Sequence, residues 1–269
     1  RDEPVSVAIV GGGATGVELA AEIHHAVAML KLYGHEHLDR KQLKVTVVEA
    51  LPRILPGLSE RVSAAAQERL EGLGVSVRTG VMVARATEDA LITKDDETIS
   101  ADLMVWAAGV KAPDFVGKLE GFALNKINQI EVSPTLQAKG NDRVFVVGDC
   151  AFLKPDGDDK PIPPRAQAAQ QMASHTAKNL QRLIMNRDPK PFRYRDHGSL
   201  VSLSNYSSVG MLMGNLKGGN FFVEGWLARL MYVGLYRMHQ AALYGWPRTL
   251  MLLTAGRFSK LVRPRMKLH

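Results

Sequence analysis

The chain has 269 residues, of which 46% are apolar and 23% charged, so it is long enough for two domains and too apolar for a disordered protein. Its single cysteine, Cys150, excludes an internal disulfide and a Cys-x-x-Cys redox pair. The net charge of +7 is concentrated in residues 225–269, which hold eight Lys or Arg and no Asp or Glu. The rest of the chain is nearly neutral, and because this basic segment is interleaved with Trp and Leu, we expect a partner other than nucleic acid.

A glycine-rich segment near the start, VSVAIVGGGATGVELAAE at 5–22, reads as a buried strand, a tight loop and a helix. Gly11, Gly13 and Gly16 form the G-x-G-x-x-G pattern, in which the glycines allow a tight turn, close approach to a pyrophosphate and close packing of helix on strand. The start of the helix is a natural anion site. The order of strand, glycines and helix predicts a dinucleotide site, and a glycine-rich turn without a ligand is the alternative.

The predicted first helix runs over about 14–32 and is followed by a second strand, KVTVVE at 44–49. We expect no metal site at the nearby His24, His25, His35 and His37, because no further ligand is evident.

The second strand ends in Glu49, which in this fold accepts hydrogen bonds from the adenosine ribose and disfavours a 2′-phosphate, so NADH is predicted over NADPH. Its distance from Gly16 is longer than usual, which an insertion around 34–42 explains. Arg53 keeps NADPH open as an alternative, and Glu49 as a plain surface acid is another.

The rest of the first domain completes a nucleotide-binding fold. Ser59 is predicted to cap a helix that ends near 73, and 75–78 form a third parallel strand. Residues 81–86, 90–94 and 98–101 alternate as an antiparallel meander. The strand 103–110 returns to the parallel sheet and brings Gly109 beside the expected cofactor crevice. The fold class is therefore α/β, with a Rossmann-like, parallel-sheet NAD domain and β-meander at 1–111.

Two further domains are predicted. In 112–190, strands at 130–137 and 143–151 precede a helix at 165–186. In 191–269, strands at 197–205, 208–214 and 221–223 precede helices at 226–243 and 247–258, which makes this an α+β domain. These helices have apolar residues at helical spacing beside Trp and basic residues, as in helices that lie in an anionic membrane interface. A core helix or a homodimer helix is the alternative.

Four segments in order carry a family resemblance: the glycine motif, WAAGV at 106–110, VSPTLQ at 132–137 and VFVVGDCA at 144–151. Together they resemble the two-dinucleotide flavoprotein reductases. AQAAQQ at 166–171 fits the quinone-site pattern A-Q-x-A-x-Q of the type II NADH:quinone oxidoreductases, and HGSLVSLS, EGWLARLMY and LYRMHQ in the tail resemble their bacterial members. The family's first glycine-rich motif, for the ADP half of FAD, is missing, so we expect a fragment of a longer protein that holds the later part of the FAD domain.

The resemblance implies roles for particular residues. Gly148 and Asp149 would face the ribityl and phosphate region of FAD, and the backbone near Ala169 would direct N–H groups at the flavin ring. Gln167 and Gln171, four residues apart on one helical face, would hydrogen bond the quinone. Glu18 would assist proton transfer near the nicotinamide, with a surface acid as the alternative.

The resemblance as a whole implies a non-proton-pumping enzyme that passes hydride from NADH to FAD and two electrons on to a membrane quinone. It would sit peripherally on the cytoplasmic face of the bacterial inner membrane. The alternatives are a soluble NAD(P)H-dependent flavin reductase with another acceptor, and a non-catalytic NAD-binding fragment.

Overall fold

The computed structural model describes residues 4–30, 42–155, 157–158, 160–203, 207–213 and 220–262. The chain divides into two compact units, one formed by Arg1–Ala108 with Gly198–His269 and the other by Gly109–His197. The C-terminal segment is thus grouped with the N-terminal one, whereas the sequence predicts three successive domains. The division into three domains stays a prediction.

The first unit is built on four strands: β1 (Val5–Val10), β2 (Leu43–Val48), β3 (Val75–Arg78) and β7 (Leu103–Trp106). They form a parallel sheet of order β3-β2-β1-β7. The helices are α1 (Ala14–Leu30) and α2 (Glu60–Gly72), and Ser59 caps α2 as predicted, its hydroxyl accepting from the N–H of Val62 at 3.4 Å. The predicted α/β fold with a parallel sheet is thereby confirmed. The expected insertion lies almost wholly outside the described residues.

A buried apolar core fixes this arrangement. Ile9, Val45 and Val47 on the central strands are fully or almost fully buried, and Val17 and Leu70 cover them from α1 and α2. Removing such side chains from water is the main stabilising term, at about 25 cal/mol per Å² of apolar surface. The core therefore holds the glycine loop between β1 and α1 on a rigid support.

The meander forms where the sequence predicts it, as a separate antiparallel sheet of β4 (Val83–Ala86), β5 (Ala90–Thr93) and β6 (Thr98–Ser100). The C-terminal part of the unit is another antiparallel sheet, of β12 (Ser199–Leu203), β13 (Ser207–Met213) and β14 (Asn220–Glu224). Two helices follow, α4 (Gly225–Tyr244) and α5 (Trp246–Val262), joined at Gly245 with φ +78°. Among the described helices, none has both the length and the apolar character needed to cross a bilayer.

The second unit has short strands: β8 (Ile130–Glu131), β9 (Gln137–Ala138), β10 (Asn141–Phe145) and β11 (Ala151–Phe152). The two long strands predicted at 130–137 and 143–151 are therefore wrong. The first is interrupted by a turn in which Leu136 takes φ +71° and donates its N–H to the carbonyl of Ser133 at 2.9 Å. A short 3-10 helix, Gly148–Cys150, interrupts the second. One long helix, α3 (Ala166–Ile184), packs on this unit through Ala168 and Met172.

Candidate functional sites

The glycine loop between β1 and α1 has the shape that the motif predicts. Gly11 takes φ +113°, and a side chain there would place its Cβ 2.8 Å from the backbone of Ala107. A Cβ at Gly16 would overlap the carbonyl oxygen of Gly11. These two glycines therefore let the helix and a neighbouring strand approach the loop closely.

Gly13 differs from its two neighbours in the motif. Apart from Gly13 itself and its two chain neighbours, no described residue has an atom within 4 Å of the Cβ that a side chain would place there, so the loop is open at this point. The first turn of α1 begins at the next residue, and a helix start presents N–H groups with a partial positive charge. The open position and the helix start together fit a pyrophosphate.

Gly12 is a further constrained residue that the motif treats as variable. A Cβ there would lie 2.8 Å from Cγ2 of Ile54 and 2.9 Å from Cβ of Glu49. Its carbonyl accepts from the N–H of Leu55 at 2.7 Å. The run of three glycines in the sequence was the signal that could have identified it.

Glu49 follows β2 and is only 9% exposed. One carboxylate oxygen accepts from the N–H of Gly12 at 2.6 Å, and the other accepts from the N–H of Leu51 at 2.8 Å. Each carboxylate oxygen can accept more than one hydrogen bond, so this arrangement leaves capacity for a ribose hydroxyl. The role of Glu49 toward ribose stays a prediction, and the structure adds that Glu49 braces the glycine loop.

Two arginines lie close to Glu49 along the chain or across the sheet, and both are engaged. Arg53 donates to the carbonyls of Leu55 and Pro56 at 3.2 and 3.0 Å. Arg78, whose carbonyl accepts from the N–H of Glu49, makes a two-point ion pair with Glu97 at 2.8 and 2.6 Å. The hydrogen bonds of this pair lower the pKa of Glu97 and raise the pKa of Arg78.

Glu18 lies in the second turn of α1. Its carboxylate accepts from the backbone N–H of Ser202 in β12 at 2.9 Å. Glu18 thereby ties α1 to the C-terminal sheet of the same unit. Its predicted part in proton transfer stays a prediction.

In the second unit, the Gly-Asp turn lies against the start of α3. Gly148 takes φ +75°, and a Cβ there would lie 3.5 Å from the Cβ of Ala169. The Asp149 side chain is exposed, as a ligand contact requires. The N-cap of α3, Arg165, makes no side-chain capping bond. The N–H of Ala169 donates to the carbonyl of Arg165 at 3.0 Å, so it is already used within the helix, and only the N–H groups before it precede the helix's own hydrogen-bond ladder.

The two predicted quinone ligands hold an extended segment against α3. Gln171 donates to the carbonyl of Arg195 at 2.8 Å and accepts from its N–H at 3.0 Å. Gln167 donates to the carboxylate of Asp196 at 3.1 Å and accepts from the N–H of His197 at 3.1 Å. An amide nitrogen carries two hydrogens, so Gln171 can hold this segment and still donate to a ligand.

Charged and polar groups gather beside Gln167. Arg165 pairs with Asp196 at 3.3 Å, and Tyr194 lies next to both. Burial raises the pKa of the Tyr194 hydroxyl, the negative charge of Asp196 raises this pKa further, and Arg165 opposes the shift.

Gly109 and the four histidines are the remaining positions considered from the sequence. Gly109 is exposed and takes φ +80°, a backbone conformation that favours glycine. His24 and His25 lie in α1, whereas His35 and His37 are outside the described residues. Over the described ranges, no group of three His, Cys, Asp or Glu side chains could hold a metal ion.

Comparison with known proteins identifies the family of the chain. Residues 1–173 match the family described as pyridine nucleotide-disulphide oxidoreductase. The chain is 45% identical over 268 residues to a protein of Haemophilus influenzae named type II NADH:quinone oxidoreductase. That match covers all of the chain but 60% of the relative, so the chain spans about three fifths of that protein's length. The family resemblance predicted from the sequence is confirmed.

Solved structures share the fold. NDH2 from Plasmodium falciparum in complex with NADH superposes with a TM-score of 0.73 at 16% identity, over 90% of the chain and 66% of that protein. An FAD-dependent pyridine nucleotide-disulphide oxidoreductase from Desulfovibrio vulgaris gives a TM-score of 0.56 at 25% identity, over 78% of the chain and 49% of that protein. These likenesses support the α/β assignment.

Proposed function

The chain belongs to the pyridine nucleotide-disulphide oxidoreductase family, and on this premise we propose that it is part of an FAD-dependent NADH:quinone oxidoreductase that does not pump protons. The observation that carries the proposal is the 45% identity to a type II NADH:quinone oxidoreductase across the whole chain. The geometry of the candidate sites is compatible with NADH, FAD and a quinone.

NADH would bind at the glycine loop of the first unit. Its pyrophosphate would lie over the open face of Gly13, against the N–H groups at the start of α1. Glu49 would accept from the adenosine ribose hydroxyls while holding Gly12. The negative charge of Glu49 and the engaged guanidinium of Arg53 favour NADH over NADPH.

FAD would contact the second unit at the Gly-Asp turn and the start of α3. The carboxylate of Asp149 suits the ribityl hydroxyls, and Gly148 lies close to Ala169, so the turn is held near the start of α3. The first N–H groups of α3 would stabilise negative charge on the ring. When bound, the flavin supplies the hydride acceptance from NADH and the electron donation to quinone.

Quinone would be oriented by α3. Gln171 uses one amide hydrogen for the carbonyl of Arg195, and its second can donate to a carbonyl oxygen of the quinone. Gln167, one turn earlier on the same helical face, presents the same amide chemistry, which suits both a quinone and its hydroquinone. Glu18 would hold or move a proton at its carboxylate.

The membrane surface is the proposed location of the protein, through α4 and α5. These helices expose large apolar side chains, among them Leu243, Trp246, Leu250, Met251 and Phe258, each more than 60% exposed. Basic residues of the same segment would meet anionic lipid headgroups. We propose peripheral attachment to the cytoplasmic face of the bacterial inner membrane, with burial of the same surface in a homodimer as the competing explanation.

Flotation with anionic liposomes tests this attachment. Trp246→Ser with Leu250→Ser and Met251→Ser should abolish flotation, because apolar area that would enter the interface is removed. Phe115→Ser with Ile184→Ser removes equally exposed apolar side chains from the other unit and should leave flotation unchanged. Equal flotation of the two variants would contradict the proposal, and a change from dimer to monomer in sedimentation would favour the homodimer.

The enzymatic proposal is tested with the purified protein that contains this chain. We expect the yellow absorbance of an oxidised flavin and NADH oxidation that accelerates when a quinone is added. A colourless protein would overturn the proposed function, and so would a yellow protein whose rate of NADH oxidation does not rise when a quinone is added.

A further inference from the structure

Gln129 is a buried polar side chain to which the proposed function gives no part. It is 6% exposed and immediately precedes β8 in the second unit. A buried amide is costly unless its donors and acceptor are paired, so its partners indicate what it does.

Asn125 anchors Gln129 on one side through three hydrogen bonds. The N–H of Gln129 donates to Oδ1 of Asn125 at 2.9 Å, and Oε1 of Gln129 accepts from Nδ2 of Asn125 at 2.8 Å. The N–H of Asn125 in turn donates to the carbonyl of Gln129 at 3.0 Å. The acceptor end of the Gln129 amide is therefore fixed toward Asn125, and its donor end faces away.

The turn between these two residues is itself closed. Asn128 takes φ +61° and donates its N–H to the carbonyl of Asn125 at 3.1 Å, and the N–H of Ile127 donates to Oδ1 of Asn125 at 3.0 Å. Asn is among the few side-chain-bearing residues that adopt this conformation readily. The turn is thus a rigid mount for the Gln129 side chain.

The donor end of Gln129 reaches the Gly-Asp turn twenty residues away. Nε2 donates to the backbone carbonyl of Asp149 at 2.8 Å, while the side chain of Asp149 remains exposed. Gly148, just before it, takes φ +75° in the left-handed region. Because glycine has no Cβ, the backbone at this residue can rearrange more easily than at any other residue type. A hydrogen bond from a buried side chain therefore holds the backbone of a residue whose carboxylate is exposed.

We propose that Gln129 is a positioning residue, which fixes the Gly148–Cys150 turn so that the carboxylate of Asp149 meets the hydroxyls of a bound flavin. This inference rests on the proposed flavin role of Asp149. It adds a residue outside the recognised motifs, one that bonds the backbone of the turn and leaves the carboxylate of Asp149 exposed.

The test measures flavin affinity by fluorescence quenching, after flavin is removed from the protein that contains this chain and titrated back. Gln129→Met keeps the length of the side chain but removes its donor to Asp149, together with the acceptor that Asn125 uses. We expect flavin binding about threefold to tenfold weaker, which corresponds to the loss of the hydrogen bond that holds Asp149. Gln137→Met is the matched control, because Gln137 also donates to a backbone carbonyl of the same unit, that of Asp142 at 2.7 Å. Its flavin affinity should equal that of the wild type.

A double-mutant cycle separates positioning from a general effect on folding. If Gln129 acts through Asp149, Gln129→Met should cost less than about twofold in flavin affinity in the Asp149→Ala background, in which residue 149 has no side-chain hydrogen bond left to position. The same loss in both backgrounds would overturn the proposal, because it would show that Gln129 acts independently of Asp149.

Gln129→Glu keeps the proposal testable if Gln129→Met does not fold. The new carboxyl group can donate to the carbonyl of Asp149 when it is protonated but not when it is ionised. This variant should therefore regain flavin affinity as the pH is lowered from about 8 to about 5, the range in which a buried carboxyl group takes up its proton. A pH dependence equal to that of the wild type would overturn the inference.

The failure of this inference can be told apart from the failure of the proposed function. Wild-type protein that binds no flavin would overturn both together. Normal flavin binding by the wild type and by Gln129→Met alike would overturn the inference alone.

Discussion

The N–H of Gly12 donates a 2.6 Å hydrogen bond to the carboxylate of Glu49, 37 residues further along the chain. This bond joins the glycine loop after β1 to the end of β2, and the N–H of Leu51 donates to the other carboxylate oxygen at 2.8 Å. The acid predicted to bind ribose thus also fixes the shape of the loop that would bind pyrophosphate. Glu49 thus has a structural role beside its predicted binding role, so experiments must separate the two.

The glycines of the loop allow such a separation. Gly13→Ala should leave the free energy of unfolding within about 0.5–1 kcal/mol of wild type, because no described atom lies within 4 Å of the new Cβ. It should weaken NADH binding at least tenfold, or about 1.4 kcal/mol, because the methyl group occupies the open position. Gly16→Ala should instead destabilise the fold by about 1–3 kcal/mol, because its Cβ overlaps the Gly11 carbonyl. Urea unfolding and NADH titration measure the two effects, and unchanged NADH affinity in Gly13→Ala would contradict the site.

Glu49→Gln should both destabilise the fold and weaken NADH binding. The N–H groups of Gly12 and Leu51 bond different oxygens of the carboxylate, and in glutamine one of these oxygens becomes an NH2 group that cannot accept. One hydrogen bond to a charged, nearly buried acceptor is therefore lost, at about 1.5–3 kcal/mol. Glu71→Gln, on the exposed face of α2, is the control and should change stability by less than about 0.5 kcal/mol. Equal unfolding midpoints for the two variants would show that the hydrogen bonds of Glu49 to Gly12 and Leu51 contribute nothing to stability.

Arg53→Ala should not alter the preference between NADH and NADPH. The guanidinium already donates to the carbonyls of Leu55 and Pro56, so its removal should loosen that loop and lower stability by about 1 kcal/mol. The measurement is the ratio of KM values for the two cofactors in the protein that contains this chain. A selective loss of NADPH use would show that Arg53 turns toward a 2′-phosphate.

Gln171→Leu should raise the KM for quinone and lower stability by about 1–2 kcal/mol, since both amide atoms bond the backbone of Arg195. Gln170→Leu is the matched control: it changes the neighbouring, exposed glutamine of the same helix and should affect neither quantity. If only stability falls in Gln171→Leu, the side chain holds the 195–197 segment without binding quinone.

Glu18→Gln should keep the hydrogen bond from the N–H of Ser202, because the amide oxygen can accept it in place of the carboxylate. It should lower quinone-dependent turnover and change the pH profile of the rate, because an amide cannot carry a proton. Glu22→Gln, one turn further along α1, provides the control. Turnover equal to wild type at every pH would remove Glu18 from the mechanism and leave it the structural role alone.

Local patterns predicted those parts of the fold that local forces control. The strand, glycine loop and helix at 5–22, the cap at Ser59 and the meander follow from side-chain periodicity, turn residues and capping, which act over a few positions. The same reasoning failed at 130–137, where alternation indicated a strand but Leu136 adopts a left-handed conformation. A left-handed leucine is unfavourable in isolation, and the second unit's core, in which Leu136 is completely buried, offsets that cost.

By itself, the sequence determined the α/β fold with a glycine-rich loop, the family and the candidate polar residues. Motifs and periodicity depend on the order of residues along the chain, so they can be recognised without the structure. Only the tertiary structure decided what those residues contact: Glu49 with Gly12, Gln171 with Arg195 and Gln129 with Asp149. Each of these bonds joins residues twenty or more positions apart. Their geometry depends on how whole elements pack, and packing energy is summed over the core, so no local pattern can specify it.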